Sequence, residues 1–409
     1  MKSMVKFRIN NSEINALLLI IGFPIFTYIA YPVSQENAEF GTSSGSLLSI
    51  LYRAFALIVS IICIYKNKYN FSNFRNNGFL KLYFIIVLLM IIKLLYCFYF
   101  AGDSSKWSIG VKRIYLMFAF GVQLLPSLAF ALSFHNINWK KVLSLIALLL
   151  VILCTNTLLV TWGDSGRISL NSHQSTLSFG GYAALLSLSS ISLYRMSNKK
   201  IGRIVFLICF LIGILSLLRA GSRGPLISCI FSLTVLFIVK VKNAKLIFCL
   251  LLVYILFGDI IYNFLYEISP TIFDRMENTI YEGDTSGREG TFNVAWDIII
   301  NNPIFGYDPI FISGFGPHNL LLQFGMGLGL IGLLLGIVLY IYIIYKSLVS
   351  NKVDCIQFFF SSFALYFIMR TMTGVNIFFD ADFSFAIISI ILYKSRYEKP
   401  QSVVFRKYC

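Results

Sequence analysis

Apolar runs of about 20 residues recur from end to end of this chain of 409 residues, and each is long enough to cross a bilayer as a helix. They predict spans at 14–33, 46–65, 79–100, 109–134, 141–162, 174–194, 201–218, 222–240 and 244–264, and after one long polar break at 318–345, 355–372 and 376–393. The expected fold is an all-α polytopic membrane protein of about 12 transmembrane helices, a single integral-membrane domain over 1–409 with a long loop at 265–317 between helices 9 and 10. The first run follows Lys2, Lys6 and Arg8 but has no small-x-small cleavage site after it, so it is read as an uncleaved span.

Within the break, Ser286-Gly287-Arg288-Glu289 fits a helix start in which Ser286 caps and Glu289 reaches back. Phe292, Ala295, Trp296 and Ile299 follow on one face until Asn301-Asn302-Pro303 stops the helix, predicting a short amphipathic element at the membrane surface or over the bundle. Gly306-Tyr307-Asp308-Pro309 and Ser313-Gly314-Phe315-Gly316 are turn material. Pro317 then opens the tenth span, with His318 and Asn319 in its first turn. Gly325, Gly329, Gly332 and Gly336 recur as a small-residue stripe suited to close helix packing.

Composition sharpens this picture. With 57% hydrophobic and 13% charged residues, a soluble core is excluded. The excess of 34 Lys and Arg over 18 Asp and Glu is a matter of topology rather than of nucleic acid, which is not an expected partner. Taking alternate connections as one side, the N-terminus, the turns carrying Lys66, Lys140, Arg195, Lys240 and Lys346, and the tail hold 23 of those 34 residues. That side is expected to be cytoplasmic, with both termini inside and the long loop outside. Of the remaining basic residues, Lys106, Lys112 and Arg113 are read as snorkelling to lipid headgroups, while Arg219 and Arg223 sit in the tightest outer turn. The eight cysteines are scattered and none lies in the long loop, which argues against a disulfide framework or thiolate metal site.

That tight turn reads Leu217-Leu218-Arg219-Ala220-Gly221-Ser222-Arg223-Gly224-Pro225. Its guanidiniums suit phosphate oxygens, and a lipid-linked phosphate or pyrophosphate is the expected counterpart; a structural pairing with Asp380 or Asp382 is the alternative. Arg288 stands in a first helical turn, where a cation is disfavoured unless it meets a ligand or stays exposed. His318, at a helix start and partly buried, is expected to be neutral near pH 7 and able to take a hydroxyl proton as general base, or else to be a polar anchor. His135 and His173 are read as structural.

The arrangement resembles the integral-membrane O-antigen ligase and O-antigen polymerase superfamily of bacterial envelope glycan assembly. The resemblance rests on Ser222-Arg223-Gly224, on Gly287-Arg288, Trp296 and Pro303-x-x-Gly306 in the long loop, and on His318-Asn319 followed after nine residues by Gly329-x-x-Gly332. It implies a metal-independent, inverting glycosyltransferase without a cofactor, at the periplasmic face of the inner membrane, with undecaprenyl-pyrophosphate-linked oligosaccharide as donor and membrane lipids around it. His318 is then the catalytic base, and Arg219, Arg223, Arg288 and Asn319 bind substrate. The expected reaction is polymerisation of O-antigen or capsule repeats. Ligation of the glycan to lipid A-core is the alternative, and a lipid-linked glycan transporter or flippase is the rival from another class. A chain-length regulator as a further partner is left open.

Overall fold

The computed structural model describes residues 9–22, 47–71, 75–101, 103–160, 176–241, 259–260, 262–281, 288–313, 316–349, 354–372, 374 and 376–393. Among these every regular element is helical: α1 (Asn11–Gly22), α2 (Leu47–Lys66), α3 (Gly78–Tyr99), α4 (Ile109–Asn136), α5 (Trp139–Val160), α6 (Thr176–Met196), α7 (Lys200–Arg219), α8 (Arg223–Leu236), α9 (Pro270–Tyr281), α10 (Arg288–Asn301), α11 (Leu320–Val349), α12 (Cys355–Arg370) and α13 (Ala381–Leu392). Six of the helices are long and apolar enough to cross a membrane. They coincide with predicted spans, and most of the expected span at 244–264 lies outside the described residues.

At the centre stand α12 and α13, buried along nearly their whole length. A helix that is apolar all round belongs inside a bundle. Phenylalanines supply the filling: Phe359 stacks on Phe363 at 5.5 Å, Phe363 meets Phe367 edge-on at 4.9 Å, and Phe130 of α4 stacks on Phe385 of α13 at 4.9 Å. Polar contacts join the helices where hydrocarbon cannot satisfy them. Ser232 of α8 donates to the Ser362 carbonyl at 2.5 Å, and a π turn at Ala119–Leu124 presents Gln123 to Tyr83 and Ser384. Arg370, at the end of α12, lies 3.5 Å from Asp382 of α13. Removing one partner from a buried pair of this kind costs about 3–5 kcal/mol.

The thirty residues of α11 do not form one straight rod. Gly329 has φ 69° and ψ −161°, a conformation open only to glycine, and the helix breaks there. A Cβ on Gly332 would stand 2.5 Å from the Phe324 carbonyl oxygen, and one on Gly336 3.0 Å from Leu321. Residues fifteen apart in a straight helix are separated by about 22 Å, so 320–328 folds back along 330–349. Residues 330–349 retain about 30 Å of helix, enough to span alone. Beyond the packing role expected for it, the glycine stripe therefore contains a hairpin bend.

The bend is held from outside the helix. Leu330 N–H donates to the Pro303 carbonyl at 2.8 Å, Tyr307 N–H donates to the Met326 carbonyl at 2.6 Å, and Gly306, at φ 62°, lies against Gly327. Lys93 of α3 donates to the carbonyls of Phe305 and Gly306 at 3.1 and 3.2 Å. The Pro303-x-x-Gly306 turn thus supplies the backbone partners that the broken helix lacks.

Candidate functional site

The break brings 320–328 down from the loop end of the bundle, so His318 lies below the bend instead of at the mouth of a continuous span. The helix begins at Leu320, not at Pro317 as the sequence suggests. Asn319 is its cap, its side-chain oxygen accepting from the N–H groups of Leu321 and Leu322 at 3.0 and 3.2 Å. Leu320 N–H donates to the Thr371 carbonyl at 3.0 Å, and buried Gln323 donates to Pro309 and Asn376 and accepts from Ile377 N–H. Between these ties His318 takes φ 54°, the left-handed region that a histidine enters at a cost.

His318 opens into a cavity of about 400 Å³ with Val111, Ile114 and Tyr115 of α4, Ser313 and Gly316, and Asn376, Phe379 and Asp380 before α13. Asp380 accepts from Asn376 N–H at 2.6 Å. The imidazole is exposed towards the cavity, yet the surrounding walls withdraw enough water to push its pKa below the ordinary 6.5, and the charge of Arg288 adds to that. His318 is therefore neutral at pH 7, the state expected from sequence. Of the two causes expected there, a helix start and partial burial, burial comes first, and a neighbouring guanidinium is a second that the sequence did not suggest.

The arginine turn is laced to α9. Arg219 donates to the Ile268 carbonyl at 3.2 Å and Ser269 to the Leu218 carbonyl at 2.9 Å. Arg223 donates to the Arg275 carbonyl at 2.5 Å, while Arg275 donates back to the Gly221 carbonyl at 3.3 Å. Gly221 makes the turn at φ 60°, and Gly180 of α6 leaves room for Ala220 and Pro225. Asp382, one of the carboxylates considered for these arginines, forms its ion pair with Arg370.

Arg288, in the first turn of α10, is close enough to Arg223 and Arg275 that burial, then those two charges, lower its pKa. Among the described residues no carboxylate forms an ion pair with Arg288. The structure thus brings Arg223, Arg275, Arg288 and His318 into one electrostatic neighbourhood. Arg219 is turned to the segment leading into α9, and Asn319 spends its oxygen on a cap. Arg288 is the link between the arginine turn and the histidine: it feels the charges of Arg223 and Arg275, and His318 feels the charge of Arg288.

Sequence reasoning missed Arg275 as a site residue, because α9 was left inside an undivided loop. Pro270 at a helix start and Ile272, Phe273 and Met276 at helical spacing are signals that could have found it. In α10, Ala295 and Ile299 face α11 as expected, against Met326, but Trp296 points outward. The proposed Ser286 cap falls outside the described residues, as does His173; His135 lies in an exposed turn away from the site. Lys106 does not snorkel: it bridges Asp103 and Asp308 at 2.5 Å each. Among the described residues no three His, Cys, Asp or Glu side chains stand together in a way that could hold a metal ion.

Residues 207–337 match the model of a family described as O-antigen ligase. The match supports the O-antigen polymerase and ligase superfamily. It contains the arginine turn, α9, α10, His318 and the Gly329 bend, whereas Lys106, Arg370 and Asp380 lie outside it. No curated protein matches the chain.

Proposed function

We propose, from the O-antigen ligase family match over 207–337, that the protein is a membrane glycosyltransferase moving a glycan from undecaprenyl pyrophosphate to a sugar hydroxyl at the periplasmic face of the bacterial inner membrane. The observation that carries the reading is that Arg288 lies within electrostatic reach of Arg223 and Arg275 and also of His318, whose pKa is lowered, in a chain with six helices long and apolar enough to cross a membrane. The three guanidiniums hold the pyrophosphate, while Arg219 laces the loop beside them. The acceptor oxygen attacks the anomeric carbon and its proton passes to His318. The bond from that carbon to the pyrophosphate oxygen breaks on the opposite side, the electron pair leaves with undecaprenyl pyrophosphate, and configuration inverts.

The arginines meet the developing charge without ever losing their own, so the step asks for no metal and no cofactor. The acceptor is another lipid-linked repeat, a polymerase reading taken from the Gly287-Arg288, Trp296, Pro303-x-x-Gly306 run. Ligation to lipid A-core is the second reading, favoured by the description of the matched family. Lipopolysaccharide banding in a deletion strain separates them: a single repeat on core marks a lost polymerase, and bare core with accumulated lipid-linked polymer marks a lost ligase.

Purified protein in detergent, given lipid-linked repeat and EDTA, is expected to release undecaprenyl pyrophosphate. His318→Ala is expected to slow that release by about 10²–10⁴, and His135→Ala to leave it unchanged. A His318→Ala protein as fast as the parent removes the base assigned here. Release that requires ATP or a divalent metal removes the whole reaction scheme.

A further inference from the structure

A second cavity, of about 530 Å³, lies between α10 and the loop 307–313, with Asp103 and Lys106 also in its lining. The reaction described above makes no use of it. One wall is a single face of α10, Gly290, Thr291, Val294 and Ile298, spaced as a helix spaces neighbours. No atom lies within 4 Å of where a Gly290 Cβ would stand, so the missing side chain leaves this wall open. One end is polar: Lys106 bridges Asp103 and Asp308, the Tyr307 hydroxyl donates to Asp103 at 2.8 Å, and Lys106 Nζ stands 4.9 Å from the Tyr307 ring centre.

The lining here mixes carboxylates with an ammonium, unlike the arginine cluster. Hydrogen bonds from Lys106 and then Tyr307 hold Asp103 below the usual carboxylate range, and bonds to Asp103 and Asp308 hold Lys106 above its own despite partial burial. Among the lining residues two carboxylates face one ammonium. Although Lys93 of α3 also acts on this neighbourhood, the end offers carboxylate oxygens to hydroxyl donors and no guanidinium fork to a pyrophosphate. The rest of the lining offers apolar walls and one aromatic ring, a match for the C–H faces of a pyranose. Ser313 lines both this cavity and the one holding His318, so the two are neighbours.

We propose that this cavity binds the acceptor: an uncharged, hydroxyl-bearing sugar whose edge meets Asp103 and Asp308 and whose chain passes Ser313 to offer its hydroxyl to His318. The proposal rests on the glycosyl-transfer reading. It assigns opposite sides of His318 to the two substrates, the cationic side to the donor pyrophosphate and the carboxylate-bearing side to the acceptor glycan.

The probe is a soluble repeat-unit glycoside with a short fluorescent alkyl aglycone, used with full-length protein in detergent. Binding is read by fluorescence anisotropy and transfer by release of undecaprenyl pyrophosphate. Val294→Trp and Gly290→Gln, which fill the groove from the same wall, are each expected to weaken glycoside binding and raise its KM by about tenfold or more. The KM for the lipid-linked donor and the rate at saturating glycoside stay near those of the parent. Ile300→Trp, on the exposed opposite face of α10, leaves both constants unchanged. Unchanged glycoside binding in both filled variants overturns the assignment, as does a rise in the donor KM alone, which would make the groove a donor or lipid channel. If the parent binds the glycoside and the filled variants do not, yet no pyrophosphate is ever released, the cavity stands as a sugar site and the transfer reading fails.

Discussion

At the scale of single residues, the backbone of His318 separates catalysis from stability. A histidine at φ 54° carries about 1–3 kcal/mol of strain, and asparagine tolerates that region better. His318→Asn is therefore expected to hold or raise the thermal unfolding midpoint in detergent while slowing transfer by about 10²–10⁴, because the amide cannot take the proton. A variant that loses both stability and activity would make His318 an anchor. The pH profile tests the same assignment. Burial and the Arg288 charge depress the imidazole pKa, so the active neutral form dominates at pH 7 and kcat/KM falls only as pH drops through a value below 6.5. Arg288→Gln removes the like charge, so the acid limb is expected to move to higher pH while the donor KM rises. A limb that stays in place detaches the histidine from the arginine cluster. His318, Arg223 and Arg288 could be found in sequence because a rare residue type or an awkward charge stood out. Arg275 stood out less, because a cation next to Asp274 in a polar segment looks like ordinary surface unless the apolar spacing of α9 is followed, and its contact with the Gly221 carbonyl shows only in the fold.

At the scale of elements, the bend in α11 does most to place the site. Gly329→Ala puts a Cβ 2.4 Å from the Pro303 carbonyl oxygen in a conformation that alanine does not hold, and nearby backbone cannot yield as a side chain would. A loss of about 3 kcal/mol or more is expected, read as a lower midpoint in a detergent melt, together with loss of transfer. Gly290→Ala, in open space on α10, is expected to gain up to about 1 kcal/mol from helix propensity. Similar melts for the two variants would mean that the bend is not set by this turn. Hydropathy could not reveal the break. Residues 324–345 carry no charge, and the signal lies in one glycine's φ together with the Pro303 carbonyl, which accepts from Leu330 N–H across a long stretch of chain. The six spans that the described helices match were legible, since a bilayer fixes helix length and leaves backbone polarity no other solution. The amphipathic face of α10 was read correctly at Ala295 and Ile299 and wrongly at Trp296, because period alone locates a stripe but not which edge of it meets the bundle.

At the scale of the whole molecule, the basic residues that oppose the charge-sidedness rule are spent on particular partners. Lys93 holds the Pro303–Gly306 turn, Lys106 holds two aspartates, Arg370 holds Asp382, and Arg53 lies 4.5 Å over the Phe118 ring. A membrane protein retains such residues when the partner or ligand outweighs desolvation. The rest of the excess, by its place in alternate connections, is expected to put both termini inside and α10 outside, and the proposed reaction depends on that sidedness. A cysteine introduced at exposed Asn301 reports on it. Among the described cysteines, Cys63, Cys97, Cys154, Cys209 and Cys229 are buried and Cys355 is half-buried, so Asn301→Cys is expected to give the strong added label in intact spheroplasts treated with an impermeant maleimide. A fluorescent protein fused after Cys409 is expected to fold and glow in the cytoplasm. Labelling of Asn301→Cys only after the membrane is permeabilised would put the arginines and His318 on the cytoplasmic side. The donor pyrophosphate, His318 and the carboxylate-bearing groove would then face the compartment where nucleotide sugars, not finished lipid-linked repeats, are the abundant donors. Both the transfer reaction and the division of its substrates between two cavities would have to be abandoned together.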